Sequence, residues 1–140
     1  MSMHFSVHMR ARTESWIYAL ASLVWMGVLA YLSSQPGTKV HVEPPLDKVI
    51  HLCAFGILGF LVACAAGPRL RWHAAWIATL VAALYGLGDE VHQSLTPGRS
   101  ASAWDWTFDV AGGASGGAAW LVAWSQGLRR GRGSAERPGN

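Results

Sequence analysis

Charge is excluded from four long stretches of this chain. Within its 140 residues, no Asp, Glu, Lys or Arg occurs in 15–38, 49–68, 72–88 or 110–128. Each run reaches the roughly 17–25 residues that let a helix cross the hydrocarbon core of a bilayer. Only 14% of the residues are charged and eight are tryptophan, whereas a soluble domain of ordinary composition carries about 25% charged residues. These features predict one all-α membrane domain, a four-helix transmembrane bundle.

The distribution of the basic residues predicts its orientation. Arg10 and Arg12 precede the first run, Arg69 and Arg71 separate the second from the third, and Arg129, Arg130, Arg132 and Arg137 follow the fourth. Only Lys39, Lys48 and Arg99 fall on the other side. By the positive-inside rule both termini are cytoplasmic, in the inner membrane, and the loops 32–48 and 93–109 face outward. The same arginines leave no need for a nucleic-acid partner. A cleaved signal peptide is the alternative reading of Arg10, Arg12 and the apolar stretch up to Val28-Leu29-Ala30. That stretch is long for a signal peptide, which favours a retained span.

Three segments are expected: a cytoplasmic lead, 1–14; the four-span domain, 15–128; and a basic, disordered cytoplasmic tail, 129–140. The first helix should run from about Trp16 to Leu32 and end at Ser33-Ser34-Gln35-Pro36-Gly37, where Pro and Gly forbid continuation. Pro44-Pro45 should stiffen the following loop. Asp47 is placed to cap the second helix, which stops at Gly67-Pro68. Cys53 and Cys64, roughly 16 Å apart along that helix, cannot pair with each other. The third helix should run from Trp72 to Gln93, and the fourth should begin between Trp104 and Asp109. Trp120 and Trp124 are expected at the inner interface. Gly112, Gly113, Gly116 and Gly117 form two overlapping G-x-x-x-G spacings, which let helix backbones approach closely in lipid. Asp47-x-x-x-His51 and Asp105-x-x-x-Asp109 each follow a Pro-Gly turn and a loop, a weak echo of two tandem helical hairpins.

The polar residues gather at one level, near the outer boundary. They are Asp47, Lys48, His51, Asp89, Glu90, His92, Gln93, Arg99, Asp105 and Asp109. Asp47 and either Asp105 or Asp109 are explained as helix caps, and Lys48 as a side chain reaching the surface. Glu90 is not explained this way, because it lies at the C-terminal end of the third helix, where the macrodipole disfavours an anion. It calls for a cation, a metal or a proton, with Arg99 and His51 as candidate partners. Gln93 shares its face, whereas Asp89 points away, to the rim or to solvent. Arg99 is expected either to clamp Glu90 or Asp109 or to grip an anionic ligand group. Metal ligation by His51, Glu90 and Asp109 is chemically conceivable, but no ligand-spacing motif supports it and none is assigned. No cofactor is implied. His51 and Glu90 are the candidate acid/base residues.

Leu32-Ser33-Ser34-Gln35-Pro36, Asp47-Lys48-x-x-His51-x-x-x-Phe55-x-x-Leu58-Gly59, Glu90-x-x-Gln93 with Pro97-Gly98-Arg99, and Asp105-x-x-x-Asp109-x-x-Gly112 together resemble the VanZ-like membrane proteins. The resemblance spans about Leu32 to Gly117. It implies functional positions at Asp47, Lys48, His51, Glu90, Gln93, Arg99 and Asp105. It departs at Asp109, where the family often has Asn. The family is named for a protein that confers low-level resistance to teicoplanin-type glycopeptides.

The leading expectation is a binding module for a lipid-linked envelope component or an anionic lipid headgroup. Asp47, Lys48, His51, Glu90, Gln93, Arg99, Asp105 and Asp109 would form the ligand-binding set. The alternatives are an enzyme acting on a lipid-linked envelope precursor and an assembly protein whose glycine-rich fourth helix packs on a partner.

Overall fold

The computed structural model describes the backbone of residues 2–36, 42 and 45–135, and side chains within 15–36, 42 and 45–127. Lys39, Pro44, the side chains of Arg10, Arg12 and the C-terminal arginines, and residues 136–140 lie outside the described residues. Four helices follow one another: α1 (Ser2–Ser33), α2 (Leu46–Ala66), α3 (Trp72–Ser94) and α4 (Ala103–Ala135). Among the described residues there is no strand. Both outer helices run past the bounds expected from sequence: α1 starts ahead of Trp16, and α4 continues beyond Leu128 to Ala135.

Helix α3 shows how the sequence places each face. Trp72, Trp76, Leu80, Leu84, Leu87 and Val91 form an exposed stripe at helical spacing. Ala74, Ala78, Ala82, Gly86, Glu90 and Gln93 form the buried stripe opposite. Large side chains outside and small ones inside reverse the pattern of a soluble helix, as expected where the surroundings are hydrocarbon and close backbone approach drives association. On α1, Trp16, Ile17, Leu20, Leu23, Val24 and Tyr31 are likewise exposed.

The stretches Ser15–Ser33, Leu46–Ala66 and Trp72–Ser94 are each long and apolar enough to cross a membrane. This is a membrane protein. Helix α4 is long and uncharged over 110–128 but owes its inner face to glycine rather than to large apolar residues. That face is spent inside the bundle, where α4 packs on both α2 and α3. A Cβ added at Gly112 would meet Gly56 N at 3.0 Å and Phe55 Cβ at 3.1 Å, and one at Gly117 would meet Ala75 Cα at 3.0 Å. Gly113 sits against Ala82, and Gly116 against Gly56 and Phe60. The close approach that the G-x-x-x-G spacings predict is therefore made within the chain. The packing surface assigned to a partner in the assembly reading is already occupied by α2 and α3.

Helix α1 joins the bundle from the side, mainly against α2. Leu29 packs with Phe55, Leu58 and Ala82. Trp25 Nε1 donates to the carbonyl of Ala54 at 2.9 Å, and the Tyr85 hydroxyl donates to the carbonyl of Met26. At the far end of the bundle, Trp120 is buried with Ala63, Ala74 and Ala78, so it belongs to the core rather than to the interface position expected from sequence. Its ring stacks on that of Trp124 with centroids 6.0 Å apart. Gly67, at φ +78°, ends α2 as expected.

Candidate functional site

Helices α2 and α4 run parallel, with both N-termini at the same end of the bundle. Three successive contacts define the register: Lys48 to Asp105, His51 to Asp109, and Gly56 against Gly112. The C-terminal turn of α3 reaches the same level, so the polar stretch after Leu87 meets two helix starts.

None of the expected acidic caps forms. Pro45 precedes α2 without a side-chain cap bond. Asp47 instead accepts from its neighbour, Lys48, through the backbone N–H and the ammonium, both at 2.8 Å. The Lys48 ammonium also donates to Asp105, so it bridges two carboxylates rather than reaching for the surface. On α4 the capping group is Ser102: its Oγ accepts the Asp105 N–H at 3.2 Å, and its carbonyl accepts the Trp106 N–H at 3.1 Å.

Ser102 also resolves the position of Glu90. The serine's backbone N–H donates to Glu90 Oε2. In a capping box that N–H is taken by an acid three residues into the helix, here Asp105. Glu90, from α3, fills that role, and Asp105 is released to Lys48. The carboxylate thus leaves the unfavourable end of its own helix for the favourable end of another. Its other oxygen, Oε1, is buried without a hydrogen-bond partner.

Asp109 is fully buried, at 0% exposure. Its Oδ1 lies 2.8 Å from His51 Nδ1, so with the carboxylate as acceptor that nitrogen carries the proton. Its Oδ2 has no partner and points at α3. Gly86 stands opposite, and a Cβ there would come within 2.9 Å of Oδ2. Gly86 and Glu90 are one turn apart, so the first makes room for Asp109 and the second meets α4 beside it. One nitrogen of His51 and one carboxylate oxygen from each of Glu90 and Asp109 lie within 4.8 Å of one another.

Arg99 clamps neither Glu90 nor Asp109. Its Nη2 donates to Gln93 Oε1 at 2.7 Å, and Gln93 Nε2 donates onward to Asp89 Oδ2 at 2.8 Å. The amide takes both roles, leaving Arg99 without an ion pair among the described residues. Gly98, at φ +76°, shapes the Pro97-Gly98 turn that carries the arginine.

A cavity of about 420 Å³ opens at this end of the bundle. Leu29, Leu32, Ile50, Ala54 and Phe55 supply an apolar wall; Asp47, His51, Asp89, Gln93, Arg99 and Asp105 supply a polar one. Of the residues singled out from sequence, Asp47, His51, Gln93, Arg99 and Asp105 line it. Lys48, Glu90 and Asp109 do not. Glu90 and Asp109 stand behind His51 as buried supports, and Asp89, expected at the rim, is on the wall. Sequence reasoning missed Ser102 and Gly86. Ser102-x-x-Asp105 carries the spacing of a capping box, and Gly86 lies one turn from Glu90, so signals for both were present.

The sequence model of the family described as VanZ/LLP1 matches residues 5–124. The chain belongs to the VanZ/LLP1 family. The match takes in α2 and α3 whole, most of α1 and α4, and every residue of the polar layer. Among curated proteins and among solved structures, nothing matches.

Proposed function

We propose that this VanZ/LLP1 protein binds the anionic headgroup of an envelope lipid at the outer face of the inner membrane, with both termini cytoplasmic. The arginine distribution described above supports that orientation. The observation that carries the reading is the two-sided cavity ending at Arg99. Its apolar wall suits an acyl chain or polyprenyl tail. Arg99 is its one permanent cation not engaged by a carboxylate among the described residues, and a guanidinium grips phosphate or carboxylate in bidentate fashion. Lys48, grouped with Arg99 from sequence, has its charge taken up by Asp47 and Asp105 and serves to hold α2 to α4.

The test is lipid retention by protein purified in mild detergent. Native mass spectrometry should find an anionic phospholipid or polyprenyl phosphate retained over a zwitterionic lipid, and Arg99→Ala should lose it while keeping its fold. Equal retention by Arg99→Ala would sink the reading. The family is named for a protein that confers teicoplanin-type glycopeptide resistance, and the proposal extends that phenotype to this chain. In a sensitive host, the wild-type chain should then protect where Arg99→Ala at matched membrane levels does not.

A second reading, an enzyme acting on a lipid-linked precursor, is favoured by the His51–Asp109 pair. A buried carboxylate that fixes an imidazole at a cavity wall is the arrangement used to orient a general base. Turnover lost in His51→Gln with lipid retention intact would select it.

A further inference from the structure

Five carboxylates, from Asp47, Asp89, Glu90, Asp105 and Asp109, share the polar layer with two permanent cations, Lys48 and Arg99. Lys48 is spent on Asp47 and Asp105, and Arg99 turns to an amide. Glu90 and Asp109 are left with His51. Both are more than nine-tenths buried, at 4% and 0% exposure, and each keeps one buried oxygen without a partner. An unpaired buried carboxylate oxygen is costly, and two of them beside one imidazole point to a missing positive charge.

We infer that His51, Glu90 and Asp109 form a binding site for a divalent cation. The donors are one nitrogen of neutral His51, without its proton once the metal binds, and one oxygen from each carboxylate, all within 4.8 Å of one another. Donor atoms around a zinc-sized ion lie about 3–4 Å apart at bond lengths near 2.0–2.2 Å, so modest side-chain rotations close the set. One imidazole with two carboxylates suits Zn²⁺ or Mn²⁺ rather than a soft, thiolate-seeking ion. The dianionic set matches a 2+ charge. Three protein donors leave further positions open, the pattern of sites that bind water or a ligand rather than of closed structural ones. Neighbouring groups hold the donors in place. The Ser102 N–H fixes the other oxygen of Glu90, and Gly86 gives Asp109 Oδ2 its space. His51 also lines the cavity, so the ion would sit at the cavity floor. The site stands independently of what the cavity binds.

The experiment uses the full chain in detergent micelles, stripped by chelator, equilibrated with Zn²⁺ or Mn²⁺ and desalted. Bound metal is counted by mass spectrometry, and affinity is read by competition with a metallochromic dye. The expected result is close to one ion per chain, with a rise in unfolding temperature on metal addition. Glu90→Gln, which keeps an acceptor for Ser102, and His51→Gln should each weaken binding by at least about tenfold. Arg99→Ala should bind metal as the wild type does, which separates failure of this site from failure of the lipid reading. Folded wild type without stoichiometric metal would overturn the inference and leave a proton shared by the two carboxyls. Unchanged affinity in both folded variants would overturn it as well.

Discussion

Glu90 Oε2 accepts the backbone N–H of Ser102, and through that bond the end of α3 is fastened to the start of α4. The eight residues between these helices, 95–102, are closed at their base by this side-chain bond. The bond also settles the orientation of Glu90, which brings its free oxygen beside Asp109.

Replacing Glu90 should therefore split by chemistry. Glu90→Gln retains an acceptor and should stay within about 1 kcal/mol of wild type, whereas Glu90→Ala strands a buried N–H and should lose about 1–3 kcal/mol. Unfolding in mixed detergent, followed by circular dichroism, measures the difference.

Lys48→Met would leave Asp47 and Asp105 facing each other without their bridging ammonium. A loss of stability is expected, because both acids lose their partner and are left to repel each other. Adding Asp105→Asn should recover part of it. A double variant no more stable than Lys48→Met would show that the repulsion between the two acids is not what the lysine relieves.

Gly116 and Gly27 make an internal comparison. A Cβ at Gly116 would run into the backbone of Gly56 and Phe60, while one at Gly27 meets nothing within 4 Å. Gly116→Ala should cost about 1–3 kcal/mol by forcing α2 and α4 apart. Gly27→Ala should be neutral or stabilising by about 0.5–1 kcal/mol, since alanine favours a helix. Paired thermal melts decide it.

Gly86→Ala tests the niche of Asp109 directly. The added methyl would meet Oδ2 at 2.9 Å, so the carboxylate must move or α3 must shift. The variant should lose about 1–3 kcal/mol. Gly86→Ala with Asp109→Ala should be more stable than Gly86→Ala alone if that clash is the cause. An equal or lower melting temperature for the double variant would place the strain elsewhere.

Helix number, order and the level of the polar residues are legible because lipid imposes long uncharged runs, and these are visible one residue at a time. Pairing is harder. Charge alone matches Arg99 to the carboxylates, yet Gln93 lies on the last turns of α3 facing the turn that carries the arginine, and an amide satisfies both Arg99 and Asp89. Acids favour helix starts, which makes Asp47 resemble a cap, but a lysine next in sequence offers it a closer donor. Capping of α4 goes to Ser102 because its hydroxyl can accept the N–H of Asp105 while the acid turns to another helix. Such exchanges depend on which helices are neighbours, and local spacing does not carry that information.

The seam between α2 and α4 is backbone against backbone, whereas α1 meets the bundle through Trp25, Met26 and Leu29. The α1 side of the cavity and the glycine seam therefore differ in their tolerance of change. Substitutions at Leu29 or Leu32 can reshape the apolar side without disturbing the polar layer, while almost any added atom along the glycine seam displaces the whole layer. On the lipid reading proposed above, changes on α1 would retune the fit of an apolar chain, while the polar contacts stay tied to the frame.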